Sequence, residues 1–197
     1  IPFSTVGLIG KEGVALGTTV LLEPSIKITN PVTDNPLLEK QRLNAALKKL
    51  KNTLREGIGR KYAKQKGEFL EILETHKVLI EDKGWLSRMA SSIDNGLSAT
   101  VAVEKEQTAM KARIAKVKNY YFRERLNEFY EISNTLLKIM TKQKVTLKLN
   151  TIDKPILIAR NISPLELISM REHLNGLILE EGSVGSHTTI VCRALNI

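Results

Sequence analysis

Apolar residues recur at steps of three and four through the middle of the chain, and in short β-branched runs near its two ends. Leu43, Leu47, Leu50, Leu54 and Ile58 share one face of a helix turning every 3.6 residues. Asn35 can cap the free amides at its start, and Pro36 suits the first helical position. Gly57, Gly59 and Gly67 mark a break, after which Phe69, Ile72, Leu73, His76, Leu79 and Ile80 form a second stripe. A short helix is expected around Trp85 to Ile93. A third long helix starts near Ser98 and carries Val103, Gln107, Met110, Ile114 and Val117. A fourth carries Phe122, Leu126, Phe129, Ile132, Leu136 and Met140. Each stripe needs another to cover it, so the middle predicts an antiparallel helical bundle.

Proline separates this middle from the flanks. The six prolines are Pro2, Pro24, Pro31, Pro36, Pro155 and Pro164, with none between residues 37 and 154. The glycine-rich stretch Gly7 to Gly17 leads into Thr18 to Leu22, a run typical of a strand. Ile156 to Ala159 and Leu177 to Leu179 are two further strand candidates, and Ser163-Pro164 opens a helix through about Met170. Either flank alone is too short to build a core. The expected fold is therefore α/β plus all-α: residues 1–34 and 145–197 form one discontinuous α/β domain, and residues 35–144 form a helical bundle inserted between its halves.

Charge sharpens the division. The chain of 197 residues carries 30 Lys and Arg against 21 Asp and Glu, a net charge of +9. Residues 35–144 hold 23 basic and 13 acidic side chains, whereas the flanks together hold 7 and 8. A basic field of this kind steers encounter with an acidic partner over about 8 Å at physiological salt. An acidic protein, a nucleic acid, a membrane surface or plain solvation of long basic helices all fit it. A stacking platform for single strands is thinly supplied, with four Phe, four Tyr and one Trp. No apolar run approaches the roughly 20 residues of a membrane helix. The single cysteine, Cys192, makes no internal disulfide and suits a reducing compartment, so a cytoplasmic location is expected. The chain opens at Ile1 without Met and stops straight after a strongly patterned segment, so both ends are expected to be cut.

The sequence contains no Gly-x-x-x-x-Gly-Lys-Ser/Thr, His-Glu-x-x-His, Gly-x-Ser-x-Gly or paired-cysteine spacing, the usual marks of nucleotide hydrolysis, zinc chemistry and ester hydrolysis. No metal site is expected in these residues. Among the three histidines, His173 lies in a polar stretch and reads as a surface residue, and His76 lies on an apolar stripe and reads as a packed one. His187 differs. It stands in Gly182-Ser-Val-Gly-Ser-His-Thr-Thr-Ile-Val-Cys-Arg193, where a glycine-punctuated turn meets Ser186, a candidate N-cap, and an apolar stretch that can run as a helix. A helix N-terminus stabilises an anion, and a neutral imidazole is a nucleophile without a metal. Ser186, Thr188 and Thr189 offer hydroxyls for phosphoryl oxygens or for holding the ring, and Arg193 adds a charge one to two turns on. A histidine that merely caps a turn fits the same residues.

These residues resemble the N-terminal half of Enzyme I of the bacterial phosphoenolpyruvate-dependent phosphotransferase system. Gly7 to Glu23 resembles the family's opening strand, and Glu74 to Asp82 resembles the second helix of its inserted helical domain. Tyr121 to Tyr130 resembles the Tyr-Leu-x-Glu-Arg segment of its fourth long helix. Gly182 to Arg193 resembles the signature Gly-Gly-x-Thr-Ser-His-x-Ser/Ala-Ile-x-Ala-Arg, with Ser183 in place of the second glycine and Gly185 in place of the Thr. The long helical insertion favours Enzyme I over pyruvate phosphate dikinase and phosphoenolpyruvate synthase. Gly84-Trp-Leu and the segment from Asn95 look closer to the paralogue of the nitrogen-related system, which carries an N-terminal sensory domain.

The resemblance implies a swivelling phosphohistidine α/β domain with the bundle inserted in it. It implies that His187 takes a phosphoryl group from phosphoenolpyruvate and passes it to the histidine of a small phosphocarrier protein, HPr or its nitrogen-system counterpart NPr. Ser186, Thr188 and Arg193 would surround that histidine. Glu68, Val78, Leu79, Trp85 and Arg125, with His76 near the same surface, would dock the carrier, and an exposed Trp85 or Leu79 would support that role. The phosphoenolpyruvate-binding domain, its Mg²⁺ and the homodimer contact of the full-length protein lie outside these residues. The alternative reading is a non-catalytic basic helical module that binds an acidic protein or nucleic acid.

Overall fold

The structure, a computed structural model, describes residues 6–22, 30–58, 67–141 and 154–197. The chain divides into two compact units: Ile1–Pro24, Gln65–Phe69 and Thr146–Ile197 make one, and Ser25–Lys64 with Leu70–Val145 make the other.

In the first unit, β1 (Thr19–Leu22), β2 (Ile156–Ala159) and β3 (Gly176–Leu179) form a three-stranded parallel sheet in that order. Thr19 pairs with Ile156 and Ile156 with Gly176, so Val20, Leu157 and Leu177 form one cross-strand row and Leu22, Ala159 and Leu179 the next on the same face. The central strand buries Leu157 and Ala159, as strand alternation requires. Gly176 lies against Ala15 and Ile156, and a Cβ there would meet the Ala15 side chain at 3.4 Å, in van der Waals contact. Helix α6 (Pro164–Met170) follows β2 and begins as its Ser-Pro start predicts. Ser163 Oγ accepts from the Glu166 amide, and the Glu166 carboxylate accepts from the Ser163 amide. A single 3-10 turn (Arg171–His173) leads to β3, and α7 (His187–Leu195) packs on α6.

In the second unit, α1 (Pro36–Ile58), α3 (Lys83–Asp94), α4 (Ala99–Ile114) and α5 (Tyr120–Met140) pack together. Helix α2 (Glu68–Ile80) supplies Ile72, Leu73, Leu79 and Ile80 to the buried set. The predicted stripes supply most of the remaining core: Leu43, Leu47, Leu50 and Leu54 from α1, Val103 and Met110 from α4, and Ile132 and Leu136 from α5. Trp85 meets Phe129 edge-on with ring centroids 5.8 Å apart. Polar ties join the same helices. Glu39 is buried, receives Arg42 Nη1 at 2.7 Å and accepts from the Ala99 amide at 2.7 Å, which places its charge at the positive end of α4.

Three expectations need correction here. Val117 lies beyond α4, which stops at Ile114; its amide bonds the Arg113 carbonyl in a closing turn. Phe122, expected on the apolar stripe of α5, is 60% exposed in the first turn. Residues 30–34, expected in the α/β part, belong to the helical unit. Val32 bridges Leu97, Thr33 donates to the Gly96 carbonyl and Ser98 donates to the Pro31 carbonyl, so backbone pairing holds this segment beside the α3–α4 turn. No helix among the described residues is long and apolar enough to cross a membrane.

Candidate functional site

His187 is the first residue of α7, reached from β3 through Glu180 to Ser186. Ser186 adopts the extended conformation of an N-cap, and its Oγ accepts from the Thr189 amide at 3.3 Å. Thr189 Oγ1 donates to the Ser183 carbonyl at 2.8 Å. That commits the threonine proton, so in the 3.0 Å contact between Ser186 Oγ and Thr189 Oγ1 the serine is the donor. The Ser186 amide returns to the Ser183 carbonyl at 3.1 Å, closing the turn. The amides of the first helical turn have no acceptor within the helix, and among the described residues no group accepts from the His187 or Thr188 amide. The His187 side chain is half-buried, and among the described residues no side chain engages its ring nitrogens. The arrangement suits a nucleophilic imidazole next to a positive helix end.

Thr188 does not serve this anion site as expected. It is buried, and its Oγ1 donates to the Ile162 carbonyl at 2.7 Å, so its hydroxyl anchors α7 to the β2–α6 connection. Arg193 also lies elsewhere. It occupies the last turn, about 9 Å of helix rise from His187. Its Nε donates to the Gly10 carbonyl at 2.6 Å, holding the glycine-rich segment. Lys11 continues this tie by donating to Asn196 Oδ1, and Asn196, at φ 63°, ends α7 in the left-handed conformation. Neither contact has a local sequence signal, since Gly10 and Arg193 are 183 residues apart. Burial pushes the Cys192 thiol up to about 11, and it is therefore neutral at physiological pH. At the ends of β2 and β3, Arg160 Nε donates to Glu181 Oε1 at 2.8 Å, and this contact holds the Glu181 carboxyl below its ordinary range.

Among the expected carrier-docking residues, Val78 is 61% exposed, Glu68 is exposed and Arg125 is half-buried, donating to Glu128 Oε2 at 3.4 Å. Leu79, Trp85 and His76 are 3%, 0% and 1% exposed. These three are core residues and offer a partner no side-chain surface, because the apolar stripes of α2 and α3 face the interior of their unit. No group of three or more His, Cys, Asp or Glu among the described residues could hold a metal ion.

Residues 6–125 match the family described as PEP-utilising enzyme, N-terminal. The chain belongs to this family. Residues 152–197, which include His187, match the PEP-utilising enzyme mobile domain. Multiphosphoryl transfer protein 1 of Escherichia coli (strain K12) is 29% identical over 188 residues, covering 93% of this chain and 22% of that protein. The phosphoenolpyruvate-protein phosphotransferase of Buchnera aphidicola subsp. Acyrthosiphon pisum is 30% identical over 197 residues, covering 97% of this chain and 34% of that protein. This member of the PEP-utilising family thus spans about a fifth to a third of the curated relatives it matches. Two solved structures share the fold, each at 22% identity. The N-terminal domain of nitrogen Enzyme 1 gives a TM-score of 0.73 over 91% of this chain and 75% of that one. A solution structure of Enzyme I gives 0.67 over 95% and 78%. The mostly helical architecture with a small parallel sheet is the fold of the Enzyme I N-terminal domain.

Proposed function

We propose that this chain is the phosphoryl-carrying part of a phosphoenolpyruvate-protein phosphotransferase, in which His187 is phosphorylated and then phosphorylates a histidine of HPr or NPr. The observation that carries the reading is the position of His187. It opens a nine-residue helix with its ring half-exposed, while the hydroxyls of Ser186, Thr188 and Thr189 are occupied within the protein. The match of residues 152–197 to the mobile domain and the names of the relatives support it.

The chemistry is an in-line transfer of a phosphoryl group to a nitrogen. A lone pair of the imidazole attacks phosphorus, the bond from phosphorus to the enol oxygen breaks, and the enolate leaves to become pyruvate after protonation. The ring N–H proton is released, so the phosphorylated ring stays neutral at its other nitrogen. In the second half the P–N bond breaks and a nitrogen of the carrier histidine takes the group. The chain's own contribution is positional and electrostatic. Ser186 caps the helix, Thr188 fixes its first turn to Ile162, and the free amides at its start stabilise the phosphoryl oxygens.

In this reading the α/β unit swivels as a phosphohistidine domain and the helical unit is an insertion that docks the carrier through Val78 and Arg125. Mg²⁺ and phosphoenolpyruvate bind to a further part of the full-length protein. This chain alone therefore exchanges phosphoryl groups with a carrier but does not take them from phosphoenolpyruvate. Mixing it with phosphorylated HPr or NPr should add one acid-labile phosphoryl group by mass spectrometry, with no gain in His187→Ala. No gain from either carrier, or a gain that survives in His187→Ala, would overturn the assignment.

A further inference from the structure

A groove of about 640 Å³ runs along α1 in the helical unit, outside everything used for phosphoryl transfer. One wall is a stripe of α1, with Lys40, Asn44, Lys48, Lys51 and Arg55 at steps of four, four, three and four, which keeps them on one face. From Lys40 to Arg55 the stripe covers about 22 Å of helix. Leu43, Leu47 and Ile80 form its floor, and Leu86, Ser87 and Ala90 of α3 contribute to the far side. No acidic or aromatic side chain lines it.

The cations of the stripe are used unevenly. Lys40 pairs with Asp94 at 2.6 Å and Lys51 with Glu81 at 3.2 Å. Lys48 and Arg55 are exposed and, among the described residues, meet no carboxylate within ion-pair distance. Two uncompensated positive charges about two turns apart thus edge an apolar floor, within a unit that already carries the chain's entire basic excess. An aromatic-free groove gives nucleic-acid bases nothing to stack on, whereas an acidic segment with apolar residues matches both its rim and its floor. Neither Val78 nor Arg125 lines the groove.

We infer that the α1 groove is a second docking site that takes an acidic, leucine-bearing helical segment of a partner protein of about fifteen residues, the length that spans 22 Å. The inference stands apart from the phosphoryl-transfer reading, since it uses neither His187 nor the carrier surface.

The test is fluorescence anisotropy of the whole chain with a labelled peptide carrying Glu and Leu at helical spacing. The peptide should bind at low salt and weaken as salt rises. Lys48→Glu with Arg55→Glu should weaken binding about tenfold, as expected for two rim charges, and the neutral pair Lys48→Gln with Arg55→Gln should weaken it less. Lys111→Glu with Lys116→Glu changes the net charge equally at exposed positions outside the groove and should weaken binding far less than the groove pair. Equal losses in the two Glu pairs would reduce the effect to the general field and overturn the site. So would the absence of peptide binding to the parent chain, or tighter binding of an oligothymidylate of matched charge, which would make the surface a nucleic-acid one.

Discussion

Thr188 Oγ1 donates to the carbonyl of Ile162 at 2.7 Å, and this buried bond fixes the first turn of the helix that begins with His187. The bond joins residues 26 apart in sequence, so one hydroxyl couples the orientation of the histidine to the connection between β2 and α6. Thr188→Val keeps the shape and removes the donor, leaving a buried carbonyl unpaired. The expected cost is about 1–3 kcal/mol in denaturant unfolding. Phosphoryl uptake from a phosphorylated carrier should slow, while Thr188→Ser, which restores the donor, should recover most of the rate. Full activity in Thr188→Val would show that the anchor has no influence on the histidine.

Gly185 stands where the resembling signature has a Thr, and the structure leaves room for that side chain. A Cβ at Gly185 meets nothing within 4 Å, and its backbone is outside the left-handed region. Gly185→Ala should therefore stabilise the α/β unit by about 0.4–1 kcal/mol through loss of unfolded-state freedom. Gly185→Thr should fold equally well and place a hydroxyl two residues before His187. A fall in stability of either variant, read from the unfolding midpoint, would contradict the open space.

What the sequence made legible follows from how local each cause is. The start of α6 lies within Ser163, Pro164 and Glu166, and those residues alone specify a capping box. The helical stripes were readable because burial repeats with the helix period. The same periodicity could not say whether Leu79 and Trp85 face a partner or their own core, since both demand an apolar residue at the same spacing. The roles of Thr188 and Arg193 were hidden for a different reason. Their acceptors, Ile162 and Gly10, are backbone carbonyls, and a carbonyl has no residue identity to read.

Trp85 is the only tryptophan and is fully buried against Phe129, so it reports on the helical unit from inside. Its emission should be blue-shifted and resistant to iodide, and it should change little when a carrier binds. Trp85→Ala should destabilise the helical unit by about 3–5 kcal/mol, as loss of a large core aromatic does. Ready iodide quenching in the folded chain would place Trp85 on the surface and restore it as a docking residue.

The Cys192 thiol, held up at about 11 by burial, gives a pH dependence of defined sign. The ordinary value is 9.0, so the folded state keeps its proton at pH values where the unfolded chain has lost it. Stability from this residue is whole below pH 9.0 and is lost as pH rises through about 11. Cys192→Ala should flatten the alkaline limb of the stability profile while lowering overall stability by the lost packing of a buried side chain. Iodoacetamide should label the folded thiol far more slowly than the urea-unfolded one at pH 8, because both burial and a scarcity of thiolate oppose attack. Equal labelling rates in the two states would show that the thiol is open to solvent and that its raised pKa does not hold.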